Sequence, residues 1–219
     1  MSLPLSDPPL RDLAIAGSPP LNAVLGIPDN AQGIVIFAHG SGSSRRSPRN
    51  TYVAQQLREA GLATLLLDLL SPQEELDRRN VFDIGLLASR LKRAAQWASV
   101  QPQTAGLPLC YFGASTGGGA ALRAAAGDPH VAGIVSRGGR PDLAGGDALA
   151  RVTAPTLLIV GEHDKLVIEL NVAARDAMQC ECSLVIVPGA GHLFEEAGTL
   201  DVVVSLARNW FLKHAGSQL

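Results

Sequence analysis

An α/β fold with a mostly parallel sheet covered by helices on both faces is the class this sequence predicts. Short apolar runs alternate with longer stretches of helical spacing, the runs are almost free of polar residues, and each ends in turn chemistry. Strands buried on both faces read as continuous apolar runs, because neither side of the pleat meets water.

The elements follow in chain order. Residues 13–25, broken by Gly17-Ser18-Pro19-Pro20, read as a β-hairpin at a sheet edge, where proline is tolerated. The run 33–38 (GIVIFA) is the first parallel strand, and Pro48 precedes a helix over 50–60. Strand 63–67 (ATLLL) leads to a helix over 81–100, where Leu86, Leu87, Leu91, Ala94 and Ala95 form an apolar stripe and Asn80 stands as N-cap. Strand 107–112 runs into a helix over 116–126. Strand 131–135 precedes Asp142, a second candidate N-cap. Strands 156–160 and 183–187 alternate with helices over 166–178 and 199–214, and Trp210-Phe211-Leu212 on the last helix reads as core.

Composition narrows the class of function. The 219 residues fit one domain, able to bury a core without metal or disulfide. With 47% hydrophobic and 17% charged residues and a net charge of −2, the chain shows no footprint for nucleic acid and no polybasic membrane anchor. No run approaches the ~20 apolar residues of a membrane span, and the N-terminus lacks the pattern of a signal peptide. Cys110, Cys180 and Cys182 are an odd number, two of them in a CxC pair too close for an ordinary disulfide, which fits a reducing compartment and a cytoplasmic location. The CxC pair has no second Cys/His cluster beside it, so no metal site and no cofactor is expected. A small molecule is the expected partner, and the chain itself a monomer or homodimer.

The chemistry concentrates at Gly113-Ala114-Ser115-Thr116-Gly117, directly after the apolar run Leu109-Cys110-Tyr111-Phe112. Glycines flanking Ser115 leave room for a tight strand-to-helix turn that pushes its hydroxyl out of the sheet. Downstream come Asp164, in Gly161-Glu162-His163-Asp164, and His192, in Gly189-Ala190-Gly191-His192. A serine hydroxyl needs a base to become a nucleophile, an imidazole can take and return that proton, and a carboxylate behind the imidazole fixes its tautomer. Ser115, His192 and Asp164 fill these roles, with Glu162 the alternative acid. The oxyanion of the tetrahedral intermediate needs fixed donors, for which the backbone N–H groups of Thr116 and Ser41 are placed. All lie after strands, at the carboxyl rim where open parallel sheets gather reactive groups. His39 is expected to brace the oxyanion loop through hydrogen bonds, His163, His130 and His214 to lie on the surface, and Cys110 to be an inert strand residue.

Five segments together, HGSGSSRRSPRN (39–50), GASTGG (113–118), SRGGRPDL (136–143), GEHD (161–164) and GAGHLFEE (189–196), resemble the α/β-hydrolase superfamily, and within it the dienelactone-hydrolase-like proteins. The resemblance covers most of the chain and implies an α/β-hydrolase fold, the Ser115–His192–Asp164 triad and no cofactor. Caps of such hydrolases are inserted near residues 135–156, which number only about twenty here, so a minimal cap or none is expected. Dienelactone hydrolases proper use a cysteine where this chain has Ser115. The implied activity is hydrolysis of a small carboxylic ester or lactone through an acyl-enzyme; acyl transfer, thioester or peptide cleavage, and a non-catalytic binding protein on the same fold are the alternatives. Arg45, Arg46 and Arg49 after the first strand and Arg137 and Arg140 after strand 131–135 place guanidinium groups near the rim. Arg45, Arg137 and Arg140 are therefore candidates for binding an anionic substrate, with pairing to Asp68, Asp142, Glu195 or Glu196 as the competing role.

Overall fold

β-Branched and leucine-rich segments with no polar interruption form the central strands in a computed structural model that describes residues 9–216. The strands are β1 (Arg11–Ile15), β2 (Leu21–Gly26), β3 (Ile34–Ala38), β4 (Ala63–Leu67), β5 (Leu109–Ala114), β6 (Val131–Arg137), β7 (Thr156–Gly161) and β8 (Cys182–Val187). They pair in the order β1-β2-β4-β3-β5-β6-β7-β8. From β4 to β8 every pairing is parallel; β2 joins β4 antiparallel, and β1 closes the edge as the outer strand of the expected hairpin.

Alternation along the strands sorts the core into two layers. Val35, Phe37, Phe112, Val135 and Ile159 pack with α1 (Pro48–Glu59) and α8 (Thr199–Ala215), where Phe211 is fully buried. Ile36, Tyr111 and Ile134 face α4 (Ile84–Ser99), α5 (Thr116–Ala125) and α7 (Lys165–Ala177) on the other side.

Five sequence readings need correction. The helix expected over 81–100 is two elements, α3 (Arg78–Phe82) and α4, and the residue between them, Asp83, caps α4 by accepting the Leu86 N–H at 2.9 Å. Asn80 therefore lies inside α3 and is no N-cap. Asp142 sits within a 3-10 turn (Pro141–Ala144) and accepts from Arg140 through both oxygens, which leaves nothing for capping. Pro48 occupies the first turn of α1 rather than preceding it, as its fixed φ and missing N–H allow. His214 is buried beside the Trp210 ring, 4.6 Å between centroids, and burial pushes its pKa down.

Two short helices went unread in the sequence: α2 (Pro72–Glu75) and α6 (Gly146–Ala150). A capping box starts α2, in which Ser71 Oγ accepts the Glu74 N–H while Glu74 accepts the Ser71 N–H. Arg90 on α4 then grips Glu74 at 2.6 Å and the Leu69 carbonyl at 3.3 Å. This pairing, with the backbone donor from Ser71, holds the Glu74 carboxyl down at about 2. A depressed folded-state pKa contributes stability above the unfolded value of about 4.3 and loses it as pH falls through the folded value. Wild type is accordingly expected to exceed Glu74→Gln in urea-unfolding stability at pH 6, with the gap narrowing from about pH 4.5 towards pH 2.

The tightest packing lies where β5 turns into α5. A Cβ on residue 117 would stand 2.0 Å from the Ala38 carbonyl oxygen, and one on residue 113 would stand 2.5 Å from that of Gly117. Gly117→Ala is expected to lower Tm by roughly 4–10 °C. Gly146→Ala, where a Cβ meets nothing within 4 Å, should leave it unchanged in the same calorimetric scan.

Candidate active site

Ser115 joins β5 to α5 with φ 52° and ψ −122°, a conformation that L-residues with a side chain rarely hold. Three backbone hydrogen bonds fix it there: its N–H donates to the Arg137 carbonyl at 3.2 Å, and its own carbonyl accepts from Gly118 and Arg140, each at 3.0 Å. The two glycines just described let α5 start directly under β3, and so the serine is left partly exposed above the strand ends.

The imidazole arrives from the other side of the rim. The turn after β8 is tied to the turn after β7: His163 N–H donates to the Ala190 carbonyl at 2.9 Å, Glu162 accepts the Gly189 N–H at 2.8 Å, and Glu196 accepts the Gly191 N–H at 3.1 Å. Ala190 and Phe194 are buried on either side of His192 and hold the loop down, Phe194 at the cost of a left-handed φ of 55°. His192 Nδ1 lies 2.5 Å from Asp164 Oδ2. Asp164 occupies the N-cap position of α7 but makes no side-chain cap bond, so its carboxylate is spent on the imidazole. Glu162, the alternative acid, braces the turn, and His163 is exposed.

Gly138 measures how close the two arms come. It directly follows Arg137, whose carbonyl holds the Ser115 N–H, and a Cβ built on it would be 3.5 Å from His192 Nδ1. The two arms thus approach the same short segment, residues 137–138. Among the described residues no hydrogen bond joins Ser115 Oγ to the ring, a looseness common in unliganded sites.

On the opposite side of Ser115 stands the loop after β3. A Cβ on residue 40 would lie 2.9 Å from Ser115 Cβ. His39 is buried and pins this loop: Nδ1 donates to the Gly40 carbonyl at 2.9 Å and Nε2 accepts the Leu69 N–H at 3.1 Å, which defines a neutral ring. Thr116, at the first position of α5, has no intrahelical acceptor for its N–H. Among the loop and turn hydrogen bonds of the described residues, neither the Thr116 nor the Ser41 N–H donates.

The arginines divide. Arg45 is held by Asp68 through its main chain at 2.7 Å and its guanidinium, Arg46 by Asp12 at 2.7 Å, Arg49 by Glu195 at 2.7 Å and Arg140 by Asp142. Arg137 is different. It is 7% exposed, reaches only Asn50 Oδ1 at 3.5 Å, and keeps Nε and Nη1 without a partner. Burial, with Arg49 nearby, pulls its pKa down to about 10. Cys110 is fully buried and its thiol is pushed up to about 12, a poor nucleophile.

A cleft of about 310 Å³ opens beside the serine, lined by His39, Gly40, Ser41, Gly42 and Thr116 on one side and Leu69, Leu70, Glu75, Arg78, Val81 and Leu87 on the other. The second wall belongs to β4's end and the α2–α3 strap, which sequence reading missed. Its one legible signal was the Ser71-Pro72-Gln73-Glu74 capping box.

A serine at the elbow of an open parallel sheet, with its neighbours supplied by the connections after β3, β7 and β8, defines a class of fold and site. The chain belongs to the α/β-hydrolase family: the family described as "Alpha/beta hydrolase domain" matches residues 31–204. A crystal structure of dienelactone hydrolase from Anabaena variabilis is 55% identical, with a TM-score of 0.91 over 95% of this chain and 99% of that one. Est1E from Butyrivibrio proteoclasticus shares the fold at 18% identity, with a TM-score of 0.80 over 94% of this chain and 99% of its own. Two Mycobacterium tuberculosis proteins, each named "Putative phosphoribosyl transferase", are 59% identical over 95% of this chain and 48% of theirs. The chain thus spans about half the length of these curated relatives. Among the described residues, no helix is long and apolar enough to cross a membrane.

Proposed function

We propose that the protein is a serine hydrolase of small carboxylic esters or lactones, with Ser115 as nucleophile, His192 as base and Asp164 as the group that orients it. The reading is carried by one observation, the 2.5 Å contact of Asp164 with His192 beside a serine held in a strained turn. In the first step His192 takes the Ser115 proton as Oγ bonds to the carbonyl carbon. The bond to the alcohol oxygen then breaks, and that oxygen receives the same proton. Water, deprotonated by His192, attacks the acyl-enzyme, the Ser115 Oγ–acyl bond breaks with return of the proton to Oγ, and the acid leaves. The N–H groups of Thr116 and Ser41 are the proposed oxyanion donors.

The Anabaena variabilis relative, named a dienelactone hydrolase, favours ester or lactone cleavage. The transferase name belongs to proteins of about twice the matched length, and the elbow described above is equipment for acyl chemistry. Arg45 and Arg140 spend their charge on Asp68 and Asp142, so an anionic substrate group would fall to Arg137, whose Nε and Nη1 are both unpaired and which no carboxylate holds among the described residues.

A fluorophosphonate probe is expected to label wild type at Ser115 and to fail with Ser115→Ala; a folded, unlabelled wild type would favour a binding protein. Asp164→Asn should lower kcat by about 10⁴ with little change in KM, measured on p-nitrophenyl acetate. Arg137→Met should reduce kcat/KM at least tenfold more for a carboxylated ester than for a neutral one of equal size. An equal loss for both would make Arg137 structural only.

A further inference from the structure

The cleft beside Ser115 has a direction. Whatever leaves from the substrate must receive its proton from the imidazole, so the alcohol half of an ester lies on the His192 side of the serine. The carbonyl oxygen points at the Thr116 and Ser41 N–H groups. The acyl carbons are left with the remaining side. The cleft is bordered by Ser41 and Thr116 and by neither His192 nor Asp164, which places it on that side.

Its chemistry is equally specific. Leu69, Leu70 and Leu87 are buried, Val81 is half-buried, and together they make an apolar floor and wall, while the exposed Glu75 and Arg78 complete the rim. Replacing water against the leucine-lined floor with methylene groups is favourable at about 0.8 kcal/mol each. At roughly 30 Å³ per water-sized group, about 310 Å³ holds roughly ten non-hydrogen atoms. The wall is also built to stay. The Glu74–Arg90 pair and the capping box anchor α2, Asp77 caps α3 by accepting the Arg79 N–H at 2.9 Å, and His39 ties Leu69 to the oxyanion loop.

We propose that the α2–α3 strap and the end of β4 form an acyl pocket that selects esters of apolar, medium-length carboxylic acids, with Val81 as a specificity-determining residue. This rests on the serine-hydrolase reading above, since the pocket's polarity is defined by Ser115 and His192. Val81 is the residue to change because it is contributed by the strap, is only half-buried, and has no part in the chemistry proposed above.

The test is the ratio of kcat/KM for p-nitrophenyl octanoate to that for the acetate, measured for wild type, Val81→Trp and Val81→Ala, with thermal melts to establish folding. Wild type should favour the octanoate. Val81→Trp fills the slot and should lower the ratio at least tenfold, and Val81→Ala should raise the corresponding ratio for decanoate against octanoate at least threefold. If Val81→Trp does not fold, the Val81→Ala comparison decides alone. Ratios that stay at the wild-type value in every folded variant would overturn the proposal, as would a shift seen only when the alcohol, and not the acid, is lengthened. Fluorophosphonate labelling separates the two levels. With Ser115 unlabelled in wild type, both readings fall; with Ser115 labelled and the ratio unmoved, the acyl pocket alone falls.

Discussion

Everything at the rim depends on one close approach, that of the first turn of α5 to the carbonyl end of β3. It requires a residue without a Cβ at 117, just as the seat of that turn on β5 requires one at 113, and Ser115 between them holds a left-handed φ. The strain is local, and it is compensated by hydrogen bonds that the neighbouring chain segments make to Ser115's own backbone. Without that approach, the serine would be an ordinary helix-capping residue and its hydroxyl would turn inward to the N-terminus of α5. With it, the side chain stands above the sheet and the helix's free N–H faces the same space.

The second arm follows a different logic. His192 has no strained backbone of its own. It is held because the turn before it is stitched to the β7 turn and the residue two places after it, Phe194, is buried. Asp164 forgoes the capping bond its position offers, so α7 begins without side-chain help. Local stability is given up at Ser115 and Asp164, and it is recovered in the surrounding hydrogen bonds and in the two apolar layers of the sheet.

The strands were legible because a buried strand leaves an unbroken apolar run, and the elbow because its glycines have a steric cause that sequence can display. Asp164 and His192 could be read as turn residues after strands. The strap could not: α2 and α3 are four and five residues long, too short for apolar periodicity to register. The split between α3 and α4 went unseen because Asp83 caps the longer helix in the middle of what looks like one continuous stripe. Asp68, Asp142 and Glu195 could be named from the sequence as partners for the arginines, but which arginine each one holds, and that Asp12 takes Arg46, depends on the fold.

The strap is fastened to α4 by the Glu74–Arg90 pair, yet it adds no strand to the sheet and no group to the elbow. Its eleven residues between Ser71 and Asp83 therefore lie outside both the sheet and the β5–α5 turn. On the reading proposed above, what the cleft accepts and what reacts in it then reside in separate segments of the chain.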